Sequence, residues 1–148
     1  MAEILYYKKV SCPVSKGQVE KIVDLAASFE KKICGITEVS IVSENIIKKL
    51  NKKFRGKDKV TDVLSFSLRK GGIVAGPFFG ELYICYPQIV RQAKEFGVSV
   101  NEEFSRMLVH GLLHLADHDH QKKAESDKMF KLQEKIITVA KKNRVIKI

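Results

Sequence analysis

The chain has 148 residues, of which 45% are hydrophobic and 30% are charged, and its formal net charge is +10. This length fits a single domain, residues 1–148, around one core, and the composition excludes a disordered chain. No apolar run approaches the length of a membrane span, and the opening MAEILYYKKV lacks the apolar segment of a signal peptide. We therefore expect a cytoplasmic protein without a membrane partner.

The three cysteines, Cys12, Cys34 and Cys85, are far apart in the sequence and form no CxxC pair. Such a pattern is typical of thiols kept reduced in the cytoplasm, and we expect them to be buried. Cysteine is accordingly not expected among any metal ligands of this chain.

Apolar periodicity predicts alternating strands and helices in the first half of the chain. Strands are expected at residues 4–10, 38–43, 62–68 and 80–86. An amphipathic helix is expected from about residue 15 to residue 34. A second helix should begin after Ser43, whose hydroxyl suits the capping position, and should turn Ile46, Ile47 and Leu50 inward.

The second half is predicted to be mostly helical. Segment 70–77 is rich in glycine but lacks the ending of a phosphate-binding loop, so we expect a mobile loop. Pro87 suits the first turn of a helix that ends near Gly97. Ser99 and Glu102 form a capping-box pattern for the next helix, which is apolar on most sides and is predicted to be central.

A last helix is predicted from about residue 122 to residue 141. Together these elements predict an α+β fold, in which a small mixed four-stranded sheet is covered by about five helices. The central helix of this fold carries the first two histidines of the chain.

A strongly basic segment, residues 48–59, is named the basic strip here. Its basic residues are Lys48, Lys49, Lys52, Lys53, Arg55, Lys57 and Lys59. Basic side chains beside an aromatic ring suit single-stranded nucleic acid, because phosphates pair with the charges and bases stack on the ring. The ring of Phe54 is expected either on this surface, where it could stack on a base, or in the core, and the core is the favoured position.

All four histidines of the chain lie in the segment HGLLHLADHDH. His110 and His114 are one helical turn apart, so their rings lie on one face and can bind the same ion. His118 and His120 compete to be the third ligand. A turn at Asp117 would bring His120 towards the first two and turn His118 away, so we predict that His120 is the ligand. Three neutral imidazoles favour zinc, one ion per chain.

The spacing of His110, His114 and His120 is also that of a family of zinc peptidases, but Gly111 stands where those enzymes carry a glutamate base. Glycine cannot take a proton, which argues against a peptidase. Three candidates remain for the general base of a reaction at this metal site: a hydroxide on the metal, an ionised ribose 2′-hydroxyl of a substrate, or a carboxylate that the sequence does not place. Asp119 and Glu103 are candidates for orienting an imidazole.

HGLLHLADHDH resembles the H-G-x-L-H-L-x-G-Y-D-H motif of the YbeY family of bacterial endoribonucleases. LNKKFRGKDKVTDVLSF, residues 50–66, and GELYI, residues 80–84, are similar to two further signatures of that family, in the same order and spacing. The chain departs from the family pattern at four positions. These departures are Val60 for proline, Glu81 for aspartate, Asp117 for glycine and His118 for tyrosine.

The resemblance implies a zinc-dependent endoribonuclease that cuts single-stranded RNA in ribosomal RNA maturation and ribosome quality control. It also implies ribosomal RNA and ribosomal particles as partners. His110, His114 and His120 match the family's metal ligands, and Arg55 matches its functional arginine. Arg55 and His114 are therefore the candidate catalytic residues. The alternatives are a zinc-stabilised RNA-binding or ribosome-assembly factor and, less favoured, a metal-dependent amidase or peptidase. The oligomeric state is left open.

Overall fold

The computed structural model describes residues 2–70, 73–74, 77–118 and 122–146. In chain order the elements are β1 (Ala2–Lys8), α1 (Lys16–Phe29), β2 (Gly35–Val42), α2 (Glu44–Arg55), β3 (Val63–Ser67), β4 (Arg69–Lys70), β5 (Ile73–Val74), β6 (Phe78–Cys85), α3 (Tyr86–Phe96), α4 (Val100–Leu115) and α5 (Lys123–Lys142). Among the helices in these ranges, none is long and apolar enough to cross a membrane.

Four strands form the main sheet, in the order β1-β2-β6-β3. The first three strands are parallel, and β3 runs antiparallel to β6 at one end of this order. The predicted mixed four-stranded sheet with about five helices is confirmed, since the described residues contain five helices.

Within the segment predicted as a mobile loop, residues 70–77, the described residues 70, 73 and 74 lie in strands rather than in a loop. β4 and β5 pair in an antiparallel two-residue ladder, in which Arg69 lies opposite Val74 and Lys70 opposite Ile73. The prediction weighted the glycines, whereas Ile73 and Val74 are β-branched residues that favour strands.

Local signals place most helix boundaries as predicted. The hydroxyls of Ser43 and Ser99 each accept a hydrogen bond from the backbone N–H three residues on. Gly97 ends α3 in the left-handed conformation, with φ of 67°. The capping box at Ser99 is made only on the serine side, because the carboxylate of Glu102 pairs with Arg106 and Lys141 instead.

One predicted boundary and one predicted orientation are wrong. α1 ends at Phe29 rather than near Cys34, because β2 already begins at Gly35, whose φ of 82° turns the chain into the strand. In α2, Ile47 is fully buried but Ile46 is 42% exposed. The sheet covers the face centred on Ile47 and Asn51, and Ile46 lies about 100° around the helix from Ile47.

The predicted burial of the cysteines is confirmed at two positions. Cys12 and Cys85 are buried, whereas Cys34 is partly exposed, and all three are free thiols.

The central position of α4 is confirmed. Its apolar residues are buried on opposite sides of the helix, because α4 packs against β3 and β6 on one side and against α1, α3 and α5 elsewhere. Gly111 faces the sheet: a Cβ atom there would lie 2.8 Å from Leu82 Cδ2 and 3.4 Å from Val63 Cγ2. A side chain at the position at which zinc peptidases carry their glutamate would therefore have to displace the buried side chain of Leu82.

We expect Gly111→Glu to destabilise the fold by more than about 3 kcal/mol, because it both overpacks the helix–sheet contact and buries a carboxylate. Urea unfolding measures this loss. The matched control is Gly17→Glu in the exposed first turn of α1, where the nearest atom to an added Cβ is 3.9 Å away. The control should stay within about 1 kcal/mol of the wild type. Equal stability of the two variants would show that α4 can move away from the sheet.

Candidate functional site

His110 and His114 lie together near the C-terminal end of α4, as their spacing predicts. Their Nε2 atoms are 3.2 Å apart, and their ring centroids are 4.7 Å apart. Both rings are partly exposed. The ring of Phe130, on α5, stacks on His110 with a centroid distance of 5.9 Å. The two imidazoles thus converge beside an aromatic wall at a partly open site.

Gln133, on α5, orients the ring of His110. Its Oε1 atom lies 2.7 Å from His110 Nδ1, and its Nε2 atom donates to Glu134 Oε2 at 3.0 Å. Because the carboxylate only accepts, the amide nitrogen must face Glu134 and the amide oxygen must face the imidazole. His110 Nδ1 therefore carries the proton, which leaves Nε2 as the nitrogen that can bind a metal.

Arg106 holds this arrangement together from α4. Its guanidinium pairs with Glu102 at 2.9 Å, with Glu103 at 3.2 Å and with Glu134 at 2.9 Å. Burial raises the pKa of Glu134, but hydrogen bonds from Arg106 and Gln133 outweigh it and hold the pKa below its ordinary value. Glu134 is thus ionised at neutral pH and accepts the hydrogen bond that fixes the amide.

Among the described residues, Glu103 pairs with Gln92 and Arg106 rather than with an imidazole. Its carboxylate accepts hydrogen bonds from Gln92 at 2.9 Å and Arg106 at 3.2 Å. The residue that takes the predicted role is Gln133, which sequence reasoning missed. It is a buried polar residue on the inward face of α5, and a buried amide among apolar residues is the signal that could have identified it.

The predicted turn at Asp117 is present. Asp117 has φ of 68°, and the N–H of His118 closes the helix by donating to Leu113 O at 2.9 Å. His118 then points towards the end of α1, where its Nε2 lies 2.6 Å from Glu30 Oε2. Burial raises the pKa of Glu30, but hydrogen bonds from His118 and the backbone of Lys32 leave it below its ordinary value.

The proposed third ligand, His120, lies outside the described residues, as does Asp119. Accordingly, the part of the chain that the structure describes holds no cluster of three or more His, Cys, Asp or Glu side chains that could hold a metal ion. The placement of His120 beside His110 and His114 stays a prediction.

The two described imidazoles fit zinc. Two nitrogens that share a tetrahedral zinc ion at 2.0–2.1 Å lie about 3.3 Å apart, close to the 3.2 Å between Nε2 of His110 and Nε2 of His114. In the protein without metal, the same distance suits an N–H···N hydrogen bond. Little movement is needed to exchange one arrangement for the other.

The basic strip forms an exposed surface at the end of α2 and in the turn that follows. All seven of its basic side chains are exposed: Lys48, Lys49, Lys52, Lys53, Arg55, Lys57 and Lys59. Gly56, with φ of 70°, ends the helix. Asn51, which is buried, donates from Nδ2 to Lys59 O at 3.0 Å. This bond holds the turn of the strip against the end of the helix.

Arg55 is anchored at the edge of the sheet. Its Nη2 donates to the backbone carbonyl of Ser65, on β3, at 2.8 Å, and its Cζ lies 4.8 Å from the ring centroid of Phe66. β3 is also a strand against which α4 packs. Arg55 and the two histidines therefore lie on elements that flank the same edge strand.

The favoured placement of Phe54 in the core is wrong. Phe54 is 50% exposed and meets Phe66 edge to face at a centroid distance of 5.2 Å. Phe54 lies in the last turn of α2 and contacts β3, which is the last strand in the sheet order, so no further strand covers its ring.

We expect Gln133→Met to weaken zinc binding by about 10- to 100-fold, because it keeps the side-chain length but removes the acceptor that orients His110. Competition with a chromogenic chelator measures the affinity. Gln88→Met, the same substitution on α3, should leave it unchanged. If Gln133→Met binds zinc with wild-type affinity, Gln133 does not contribute to the metal site.

Comparison with known proteins gives this fold and site a family. A protein-family model described as Endoribonuclease YbeY matches residues 7–141. A protein named Endoribonuclease YbeY from Ureaplasma urealyticum is 39% identical over 120 residues, which cover 81% of this chain and 76% of that protein. One of the same name from Halalkalibacterium halodurans is 36% identical over 131 residues, covering 81% and 82%.

A solved structure supports the same relationship. The solution structure of a Thermotoga maritima protein matches with a TM-score of 0.66 at 31% identity, and the match covers 96% of this chain and 92% of the other. The identity and coverage of the relatives, together with the match to the family model over most of the chain, leave one conclusion: the chain belongs to the YbeY family of endoribonucleases.

Proposed function

We propose that this protein is a zinc-dependent endoribonuclease that cuts single-stranded RNA during ribosomal RNA maturation and ribosome quality control in the cytoplasm. The observation that carries the proposal is the pair of imidazoles, His110 and His114, whose Nε2 atoms lie 3.2 Å apart. Membership of the YbeY family supports the nuclease activity. Ribosomal RNA is the proposed substrate because three segments of the chain resemble the signatures of the YbeY family, and that resemblance implies a role in ribosomal RNA maturation.

The metal ligands proposed are His110, His114 and His120. A zinc ion held there supplies Lewis acidity towards a phosphoryl oxygen. The hydrogen bond from Gln133 keeps His110 in the tautomer whose Nε2 can bind. His118 is proposed to stay outside this set, because its imidazole is engaged by Glu30 at the end of α1.

Arg55 is proposed to bind the scissile phosphate and to stabilise the charge that develops on it. A guanidinium offers parallel N–H donors that match two phosphate oxygens. The contacts with Ser65 and Phe66 hold Arg55 in position before the substrate arrives, and such preorganised donors contribute most to catalysis.

Position 111 supplies no base for this reaction. Gly111 has no proton-accepting side chain, and a larger residue there would have to displace the side chain of Leu82. This geometry supports a nuclease over a peptidase of the type that uses a glutamate at this position. The lysines of the basic strip are proposed to bind the RNA backbone next to Arg55.

A single-turnover cleavage assay on labelled single-stranded RNA tests the proposal. The zinc-loaded protein should cut the RNA, and the same protein after removal of the metal should not. A double-stranded RNA of the same sequence is the specificity control. If the zinc-loaded protein binds RNA but does not cut it, the nuclease hypothesis is rejected in favour of an RNA-binding or ribosome-assembly factor.

A further inference from the structure

A cleft opens beside the basic strip, on the side of the sheet that α2 covers. It has a volume of about 250 Å³ and is lined by Leu50, Phe54, Phe66, Glu81 and Tyr83. Glu81 and Tyr83 alternate along β6 with Leu82, whose side chain meets Gly111 of α4. The cleft therefore lies on the opposite face of the sheet from the histidines, and it is not part of the metal site.

Three aromatic rings form the wall of this cleft. Phe54 meets Phe66 at an interplanar angle of 68°, and Phe66 meets Tyr83 at 77°, with centroids 5.2 Å and 5.8 Å apart. Edge-to-face contacts of this kind leave ring faces uncovered by the neighbouring ring. The half-exposed ring of Phe54 is thus placed to stack on a flat ligand at the mouth of the cleft.

A polar pair lies among these rings. The hydroxyl of Tyr83 donates to Glu81 Oε2 at 3.3 Å. Burial, with the nearby charge of Glu81, raises the pKa of Tyr83, so the hydroxyl keeps its proton at neutral pH. A carboxylate has more acceptor positions than this one bond uses, and it pairs well with exocyclic amino groups such as N4 of cytosine.

Two cations border the rings of Phe54 and Phe66. Lys53 Nζ lies 5.3 Å from the centroid of Phe54, and Arg55 Cζ lies 4.8 Å from that of Phe66. These cations complement a ligand that carries phosphates at its periphery and a flat ring at its centre. A stacking surface rimmed by cations is the arrangement with which proteins hold single-stranded nucleic acid.

We propose that this cleft binds one unstacked nucleobase of the single-stranded RNA substrate, with the base against Phe54 and its amino group at Glu81. The inference rests on the proposed function, because RNA is the polymer whose base fills the cleft. It adds a specificity: cytosine and adenine, which carry exocyclic amino groups, are preferred over uracil. The bound strand then passes Arg55 at the edge of β3 on its way to the histidines.

Fluorescence anisotropy with 2′-O-methyl pentanucleotides tests the cleft, because these probes lack the free 2′-hydroxyl and so cannot be cleaved by its attack. The zinc-loaded protein should bind the cytosine pentamer about 5- to 100-fold more tightly than an abasic pentamer with equal charge. Phe54→Ala should remove most of this difference. Phe96→Ala, at an exposed phenylalanine of α3, is the matched control and should retain it.

The carboxylate is tested by base preference. Glu81→Gln should reduce the preference for the cytosine pentamer over the uracil pentamer by about 5-fold or more, because an amide can also donate to O4 of uracil. Glu81→Gln also keeps the inference testable if Phe54→Ala fails to fold. A thermal melt of each variant shows whether it is folded.

Three outcomes would overturn the inference: equal affinity of the wild type for the abasic and cytosine pentamers, an undiminished difference in Phe54→Ala, or an equal loss in Phe96→Ala. An undiminished difference in Phe54→Ala would mean that the RNA base binds elsewhere and that the cleft takes a ligand other than RNA. If the protein shows base-dependent binding but cuts no RNA, the proposed nuclease function fails and the base site stands. If it cuts RNA but shows no base-dependent binding, the nuclease function stands and only the base site is rejected.

Discussion

The double variant His110→Ala, His114→Ala is expected to lose its zinc, falling from about one ion per chain to background. The two imidazoles supply two of the three proposed ligands, and their Nε2 atoms lie 3.2 Å apart, a separation suited to a shared ion. With both removed, His120 alone cannot hold a zinc ion against exchange. Elemental analysis after dialysis against trace zinc measures the content directly.

His118→Ala is the matched control for this experiment. It removes an imidazole from the same segment, but one that pairs with Glu30 rather than with His110 or His114. Zinc content should stay at the wild-type level, although some stability is lost with the hydrogen bond to Glu30. Zinc retained in full by the double variant would disprove the metal site, and zinc lost from His118→Ala would make His118 a ligand.

Local chemistry made parts of this site predictable from the sequence. The spacing of His110 and His114 places them on one helical face, and the structure brings their rings together. Asp117 tolerates the left-handed conformation, and it adopts that conformation at the end of the helix. Each of these predictions depends on residues within one or two helical turns of each other.

The contacts that could not be predicted join distant parts of the chain. Gln133 reaches His110 across 23 positions, and Glu30 reaches His118 across 88. No periodicity encodes such a pairing, because it depends on how α5 and α1 pack on α4. The exposure of Phe54 has the same origin, since a helical pattern cannot show where the sheet beneath the helix ends.

Arg55→Ala is expected to lower the single-turnover rate of RNA cleavage by about 10²- to 10³-fold, the usual effect of removing a preorganised donor to developing charge. Folding should change little, because Arg55 is exposed and its described contacts are with the carbonyl of Ser65, the carbonyl of Phe54 and the ring of Phe66. Zinc content should also be unchanged. Rapid-quench cleavage at saturating protein, with elemental analysis and a thermal melt, measures the three quantities separately.

Two further variants separate the chemical role of Arg55 from the general charge of the strip. Arg55→Lys should recover only part of the rate, because an ammonium offers a point charge where the guanidinium offers parallel donors. Neutralising Lys52 and Lys53, which are exposed on the same helix, should weaken RNA binding and flatten its dependence on salt, since each phosphate contact contributes to the counterions released. Their effect on the chemical step should be smaller. If Arg55→Ala cuts single-stranded RNA at the wild-type rate, Arg55 does not act on the scissile phosphate, and its contact with the edge of β3 serves only to hold the end of α2 on the sheet.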